Sequence, residues 1–200
     1  MNTAKDKILI GITGVIASGK SMVLNHLRSL GYFCLSADEI NNELLNQELH
    51  IKSINALLFN ESSNVLDKEK IKELIFNNQE KKKQLEHYLH PLIEATLLTK
   101  AQQATQRIIF IEVPLLFESN ASIYHKVITI YLDRKNTIKR LMKRDHITKN
   151  EAIKRIDSQL PIEEKVSRSD YVIDNSKTVS HTLKQVQHVL KELEREYGNL

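Results

Sequence analysis

Eight residues near the start of the chain, Gly14-Val15-Ile16-Ala17-Ser18-Gly19-Lys20-Ser21, have the spacing G-x-x-x-x-G-K-[ST]. Glycines at these positions let successive backbone N–H groups curl around a phosphate, and a helix starting near Lys20 adds the positive end of its dipole. Lys20 would reach the β- and γ-phosphates of a nucleotide, and the Ser21 hydroxyl would ligate Mg2+. Only five glycines occur in the chain, and Gly11, Gly14 and Gly19 fall within nine residues. The guanine-reading pattern N-K-x-D is absent, so ATP is the expected nucleotide. The loop alone names no reaction, because kinases, motors and switches all use it.

A second group of candidates lies in a basic arm. Residues 134–168 hold eleven Lys or Arg against five Asp or Glu, a net charge of +6 in a chain whose total is +4. Arg140 and Arg144 are four apart and share one helix face, which would let two guanidinium groups meet a transferring phosphate. An ordinary solvated helix face is the alternative reading. Arg155 and Lys165 are further candidates. The arm contains no Phe, Tyr or Trp, which argues against a nucleic-acid surface built on stacked bases. The histidines lack the spacing of a zinc site. Lone Cys34 excludes an internal disulfide. Neither a signal peptide nor a run of ~20 apolar residues is apparent, so no membrane association and a cytoplasmic location are expected.

These residues need elements to position them. Lys7 to Thr13 is a continuous apolar run, the pattern of a strand buried on both faces of a parallel sheet. After the loop, Val23, Leu24, Leu27 and Leu30 recur at helical spacing, and Gly31 stands where a C-terminal cap belongs. Further strands are predicted at Tyr32 to Leu35, Ile108 to Val113, Val127 to Leu132 and Tyr171 to Ile173, with helical patterns between them. The fold class is therefore α/β with a mainly parallel five-stranded sheet. The stretch from Ser36 to about Arg107 reads as a helical insertion in which Pro91 opens a new helix. Thr148 and Glu151 have capping-box spacing, Pro161 begins a short helix, and Thr178 to Tyr197 is an amphipathic terminal helix.

The loop, Ser36-Ala37-Asp38-Glu39-Ile40, His90-Pro91-Leu92-Ile93 and Val113-Pro114-Leu115-Leu116-Phe117-Glu118 resemble, in content and order, the dephospho-CoA kinase family. Arg140 to Asp145, Gln159, Lys165 and Asp170 to Asn175 continue the resemblance along nearly the whole chain. It implies a three-layer P-loop NTPase fold of the nucleoside-monophosphate-kinase type, with core segments 1–35, 106–133 and 169–200. A helical substrate-binding insertion would span 36–105 and a lid 134–168. The implied reaction moves the γ-phosphoryl of ATP to the ribose 3′-hydroxyl of dephospho-CoA, giving CoA and ADP in the last step of CoA synthesis. Val15 and Ala17 stand where the family usually has glycines, Ser36 replaces an acid, and Asn41 and Asn42 replace a basic substrate contact.

Each role has an alternative. Asp38 lies just past the carboxyl end of a predicted strand, where open α/β sheets bind ligands; it would accept or orient the attacking hydroxyl, or cap a helix. His90 would line the substrate cleft or cap the next helix, and Pro114 and Leu115 are carried over as substrate contacts. Glu112 would hold Mg2+ through water, and Asn175 would lie beside the adenine, with Arg140 and Arg144 on the ATP. A monomer is the default, with an oligomer left open. The rival readings are a nucleoside or nucleotide kinase of the same fold, or a non-catalytic ATP-binding regulator.

Overall fold

The computed structural model describes residues 7–119 and 122–198. Five strands, β1 (Ile8–Thr13), β2 (Phe33–Ser36), β3 (Ile108–Glu112), β4 (Lys126–Tyr131) and β5 (Tyr171–Asp174), form one sheet in the order β2-β3-β1-β4-β5. Every pairing is parallel, with Ile8 opposite Ile108, Phe33 opposite Ile109, Ile10 opposite Lys126 and Ile128 opposite Tyr171. β1 is central and all six of its residues are buried, which is why its sequence reads as an unbroken apolar run.

Chain contacts divide the protein into a unit formed by Met1–Ser36 with Ala104–Leu200 and a unit formed by Ala37–Gln103. In the first, helix α1 (Lys20–Ser29) and the last helix, α9 (Val179–Tyr197), cover one face of the sheet. Val23, Leu24 and Leu27 of α1 and Val186, Val189, Leu190 and Leu193 of α9 pack on Ile8, Ile10, Ile12, Phe110 and Ile130. Each such side chain contributes about 1.5–3 kcal/mol by leaving water. α1 closes with paired bonds from Gly31 N–H to the Arg28 carbonyl and from Tyr32 N–H to the Leu27 carbonyl, the pattern that satisfies the last free carbonyls of a helix. On the opposite face, a Cβ at Gly11 would stand 2.5 Å from Leu116 Cδ1. The bare backbone of β1 there makes room for the segment after β3.

Beyond β4, helices α6 (Arg134–Asp145), α7 (Lys149–Asp157) and α8 (Ile162–Ser167) precede β5. Asp133 caps α6, and α7 carries the full capping box of Thr148 and Glu151. Leu141, Ala152 and Ile156 form a small core joined by Ile138, Met142 and Ile147, and also by Ile16 and Ala17 of the phosphate loop.

The second unit consists of α2 (Ala37–Leu44), α3 (Glu48–Phe59), α4 (Lys68–Asn77) and α5 (Gln79–Gln103). Ile54, Leu58, Ile71, Leu85 and Leu89 are its core. The helix expected to begin at Pro91 does not: α5 runs straight through it. Proline deprives the His87 carbonyl of its i+4 donor, but Leu85 and Leu89 before it and Leu97 and Ala101 after it are buried. Tertiary packing thus outweighs the local break.

Candidate functional site

The carboxyl edge of the sheet in the first unit gathers four segments. The phosphate loop follows β1, Glu112 ends β3, α6 follows β4, and Asn175 follows β5. Gly14 and Gly19 have φ of +146° and +101°, in the region that side chains disfavour. A Cβ at Gly14 would stand 2.5 Å from the Ile130 carbonyl oxygen, and one at Gly19 would overlap Asn175 Nδ2. Both glycines are required by conformation and by space.

Two side chains from outside the loop grip its peptides. Ile16 N–H donates to Gln159 Oε1 at 2.9 Å. In a trans peptide the preceding carbonyl points the opposite way, and Val15 O there accepts from Ser18 N–H at 3.1 Å and from Lys20 Nζ at 3.1 Å. Lys20 Nζ also donates to Gly14 O at 3.1 Å, so its ammonium is tucked against the loop and the residue is only 8% exposed. At the other end, Asn175 Nδ2 donates to Ser18 O at 2.7 Å. Arg140 Nη2 donates to the main-chain carbonyl of Asn175 at 2.9 Å, and its Nη1 lies 3.8 Å from where a Cβ would be at Gly19. Arg140 thus stands beside the loop.

The side chains that replace family glycines are accommodated. Val15 is 3% exposed and borders a cavity of about 200 Å³ shared with Leu132, Thr137, Ile156 and Gln159. Ala17 adopts φ +61°, a left-handed conformation costing roughly 1–2 kcal/mol for a residue with a Cβ. It packs against the cluster of Leu141, Ala152 and Ile156.

Ser21 Oγ donates to Glu112 Oε1 at 3.2 Å, bringing a hydroxyl and a carboxylate together beside the loop. Among the described residues no three His, Cys, Asp or Glu side chains form a metal cage. Mg2+ characteristically takes one or two carboxylates and completes its shell with water and substrate phosphates, so this donor pair fits it.

Other expected residues lie elsewhere. Arg144 does not join Arg140: its Nε and Nη2 bond Asp145 at 2.7 and 3.2 Å, and Arg155 Nη1 reaches the same carboxylate at 2.8 Å. The hydrogen bond from Arg144 holds the Asp145 carboxyl below the usual range and raises the Arg144 guanidinium. Lys165, fully buried, gives its ammonium to Glu118 at 2.7 and 2.9 Å and to Pro114 O at 3.2 Å. It ties α8 to the turn after β3. Pro114 O also accepts from Thr13 Oγ1 at 3.2 Å, while Leu115 is exposed. Asn175, expected beside the adenine, has both ends of its amide engaged inside the protein, since Oδ1 accepts from Thr182 Oγ1 at 2.9 Å.

In the second unit, Asp38 is exposed in the first turn of α2 rather than at its N-cap, because the helix begins at Ala37. His90 is exposed in the middle of α5 and caps nothing. Sequence reasoning missed the grip of Gln159 and the role of Thr182. A signal existed for Thr182, a lone polar residue on the face that carries Val186, Val189, Leu190 and Leu193; Gln159 was marked only by the family resemblance, and no local pattern pointed to its partner 143 residues away.

Comparison with known proteins identifies the family. The family profile described as dephospho-CoA kinase matches residues 8–181. A curated dephospho-CoA kinase of Campylobacter jejuni is 36% identical over 201 residues, covering 94% of this chain and 97% of the relative. A crystal structure from Thermus thermophilus superposes with a TM-score of 0.80 at 30% identity, covering 94% of this chain and 99% of the other. A Campylobacter jejuni dephospho-CoA kinase structure gives a TM-score of 0.69 at 32% identity, with 94% and 98% covered. Among the described residues no helix is long and apolar enough to cross a membrane. With its phosphate loop, its parallel sheet and a match that runs from β1 into α9, the chain belongs to the dephospho-CoA kinase family.

Proposed function

We propose that this chain transfers the γ-phosphoryl group of ATP to the ribose 3′-hydroxyl of dephospho-CoA, releasing CoA and ADP as the last step of coenzyme A synthesis. The observation that carries this reading is the family match over residues 8–181, which takes in the phosphate loop, Asp38, His90, the turn at Pro114 and Leu115, Arg140 and Asn175 together.

Phosphoryl transfer passes through a loose transition state, so the protein acts mainly by positioning and by stabilising charge. Lys20 exchanges its bonds to Gly14 O and Val15 O for oxygens of the β- and γ-phosphates. Arg140, already beside Gly19, donates to the phosphoryl group in transit. Ser21, with Glu112 acting through water, would hold Mg2+, whose charge offsets that of the phosphates when it is bound. Asp38 accepts the proton of the acceptor hydroxyl, or orients that oxygen, as the new O–P bond forms and ADP departs. His90, Pro114 and Leu115 contact the acceptor. We assign core roles to 1–35, 106–133 and 169–200, acceptor binding to 36–105 and a lid to 134–168, whose closure would free Arg144 from Asp145 and exclude water. Free metabolites as substrates imply a cytoplasmic enzyme, and none of these roles requires a second copy of the chain.

The test is ADP release from purified protein with MgATP and, in parallel, dephospho-CoA, adenosine, AMP or no acceptor, with products identified by mass. A CoA peak that depends on dephospho-CoA is expected. ADP formation with a different acceptor alone would reject the assignment.

A further inference from the structure

Asn175 is 4% exposed and uses every polar atom it has. Its main-chain N–H donates to Tyr131 O at 2.8 Å and its carbonyl accepts from Arg140 Nη2 at 2.9 Å. Its side-chain Oδ1 accepts from Thr182 Oγ1 at 2.9 Å, and Nδ2 donates to Ser18 O at 2.7 Å. The orientation of the amide is forced, because a carbonyl such as Ser18 O can only accept and must therefore face the NH2 end. Thr182, itself fully buried, fixes the other end.

The consequence lies on the far side of one peptide bond. The bond between Ser18 and Gly19 is trans, so its C=O and N–H point in opposite directions. Drawing Ser18 O onto Asn175 aims Gly19 N–H away from Asn175, and that N–H has no acceptor among the described residues. It lies directly before the first residue of α1, where donors and the helix dipole together favour an anion. Gly19 also admits the amide, since any Cβ there would overlap Asn175 Nδ2.

We infer that Asn175 is the positioning residue of the phosphate loop: through Ser18 O it presets the Gly19 N–H as a donor to the β-phosphate of the nucleotide, with Thr182 holding its amide in register. This rests on the reading of the loop as the ATP site. Asn175 accordingly acts behind the loop, with no contact to the base.

The experiment measures ADP affinity by calorimetry, then KM for ATP, KM for dephospho-CoA and kcat, on the full chain and its variants. Asn175→Ala is expected to weaken ADP binding roughly 10- to 100-fold, the worth of one hydrogen bond to a charged group, and to raise KM for ATP by a similar factor. KM for dephospho-CoA stays within about twofold, a change worth under 1 kcal/mol. Should Asn175→Ala fail to fold, Thr182→Val, nearly isosteric, carries the test: it is expected to weaken ADP binding in the same direction, and Thr182→Ser, which keeps the hydroxyl, to restore it. Unchanged ADP affinity in a folded Asn175→Ala, or equal affinity in Thr182→Val and Thr182→Ser, overturns the inference. Because ADP binding is read without turnover, a wild-type protein that binds ADP yet makes no CoA would refute the proposed reaction separately.

Discussion

At the phosphate loop the backbone is held by partners inside the protein, with Gln159 on Ile16 N–H, Asn175 on Ser18 O and Lys20 folded onto two loop carbonyls. In the helical unit 37–103, by contrast, Asp38 and His90 are exposed on helices whose core is made by other side chains, Ile54, Leu58, Ile71, Leu85 and Leu89. On the proposed roles, structure and chemistry are carried by the same residues in the loop and by different residues in the helical unit. Changes in the loop should disturb shape and nucleotide binding together, whereas changes in the helical unit should separate stability from turnover.

The largest effect expected from this contrast is at Lys20. If Lys20 acts on the transferring phosphate as proposed, Lys20→Met should lower kcat by about 10²–10³-fold, measured as CoA formation at saturating ATP; a loss of less than tenfold would detach Lys20 from the phosphate. Next comes the helical core: Leu89→Ala should destabilise by about 2–5 kcal/mol, read from urea unfolding, and whatever folded protein remains should keep its ATP affinity. A matching fall in ATP affinity would erase the distinction between the two regions.

Ala17→Gly sharpens the contrast at a smaller scale. Relief of the left-handed backbone returns about 1 kcal/mol, while the lost methyl contact and the looser unfolded chain remove a similar amount. Net stability should shift by less than about 1 kcal/mol, and a larger loss would mean that packing of the loop on the Leu141, Ala152 and Ile156 cluster dominates. The smallest effect concerns acid. Asp145 and Asp133 titrate below the ordinary aspartate range, Asp145 first through its hydrogen bond from Arg144 and Asp133 first through its hydrogen bond from the Asn136 main-chain N–H. Their stabilising contribution is complete above about pH 4 and is lost as the pH falls through their lower folded values. The acid-side decline in the urea midpoint should therefore be shallower in Asp145→Asn.

The same contrast governed what the amino-acid sequence disclosed. The loop was legible because its conformation needs glycine at Gly14 and Gly19, and because β1 is buried on both faces and so written in apolar residues. α7 was legible through a capping box that is local in the chain. Pro91 misled because its cost is offset by burial along α5, a tertiary effect invisible to local propensity. Arg140 and Arg144 looked equivalent by spacing, yet Asp145 holds one and the Asn175 carbonyl the other. Bonds such as Gln159 to Ile16 join residues far apart in sequence and leave no periodic trace.

On the proposed division of roles, the loop unit binds ATP while Asp38 of the helical unit acts on the acceptor hydroxyl. Asp38→Asn tests it most directly, through kcat for CoA formation alongside the dissociation constant for ATP. A fall in kcat of about 10²-fold or more is expected, with ATP affinity little changed. Undiminished turnover would remove Asp38 from the reaction and contradict this division of roles.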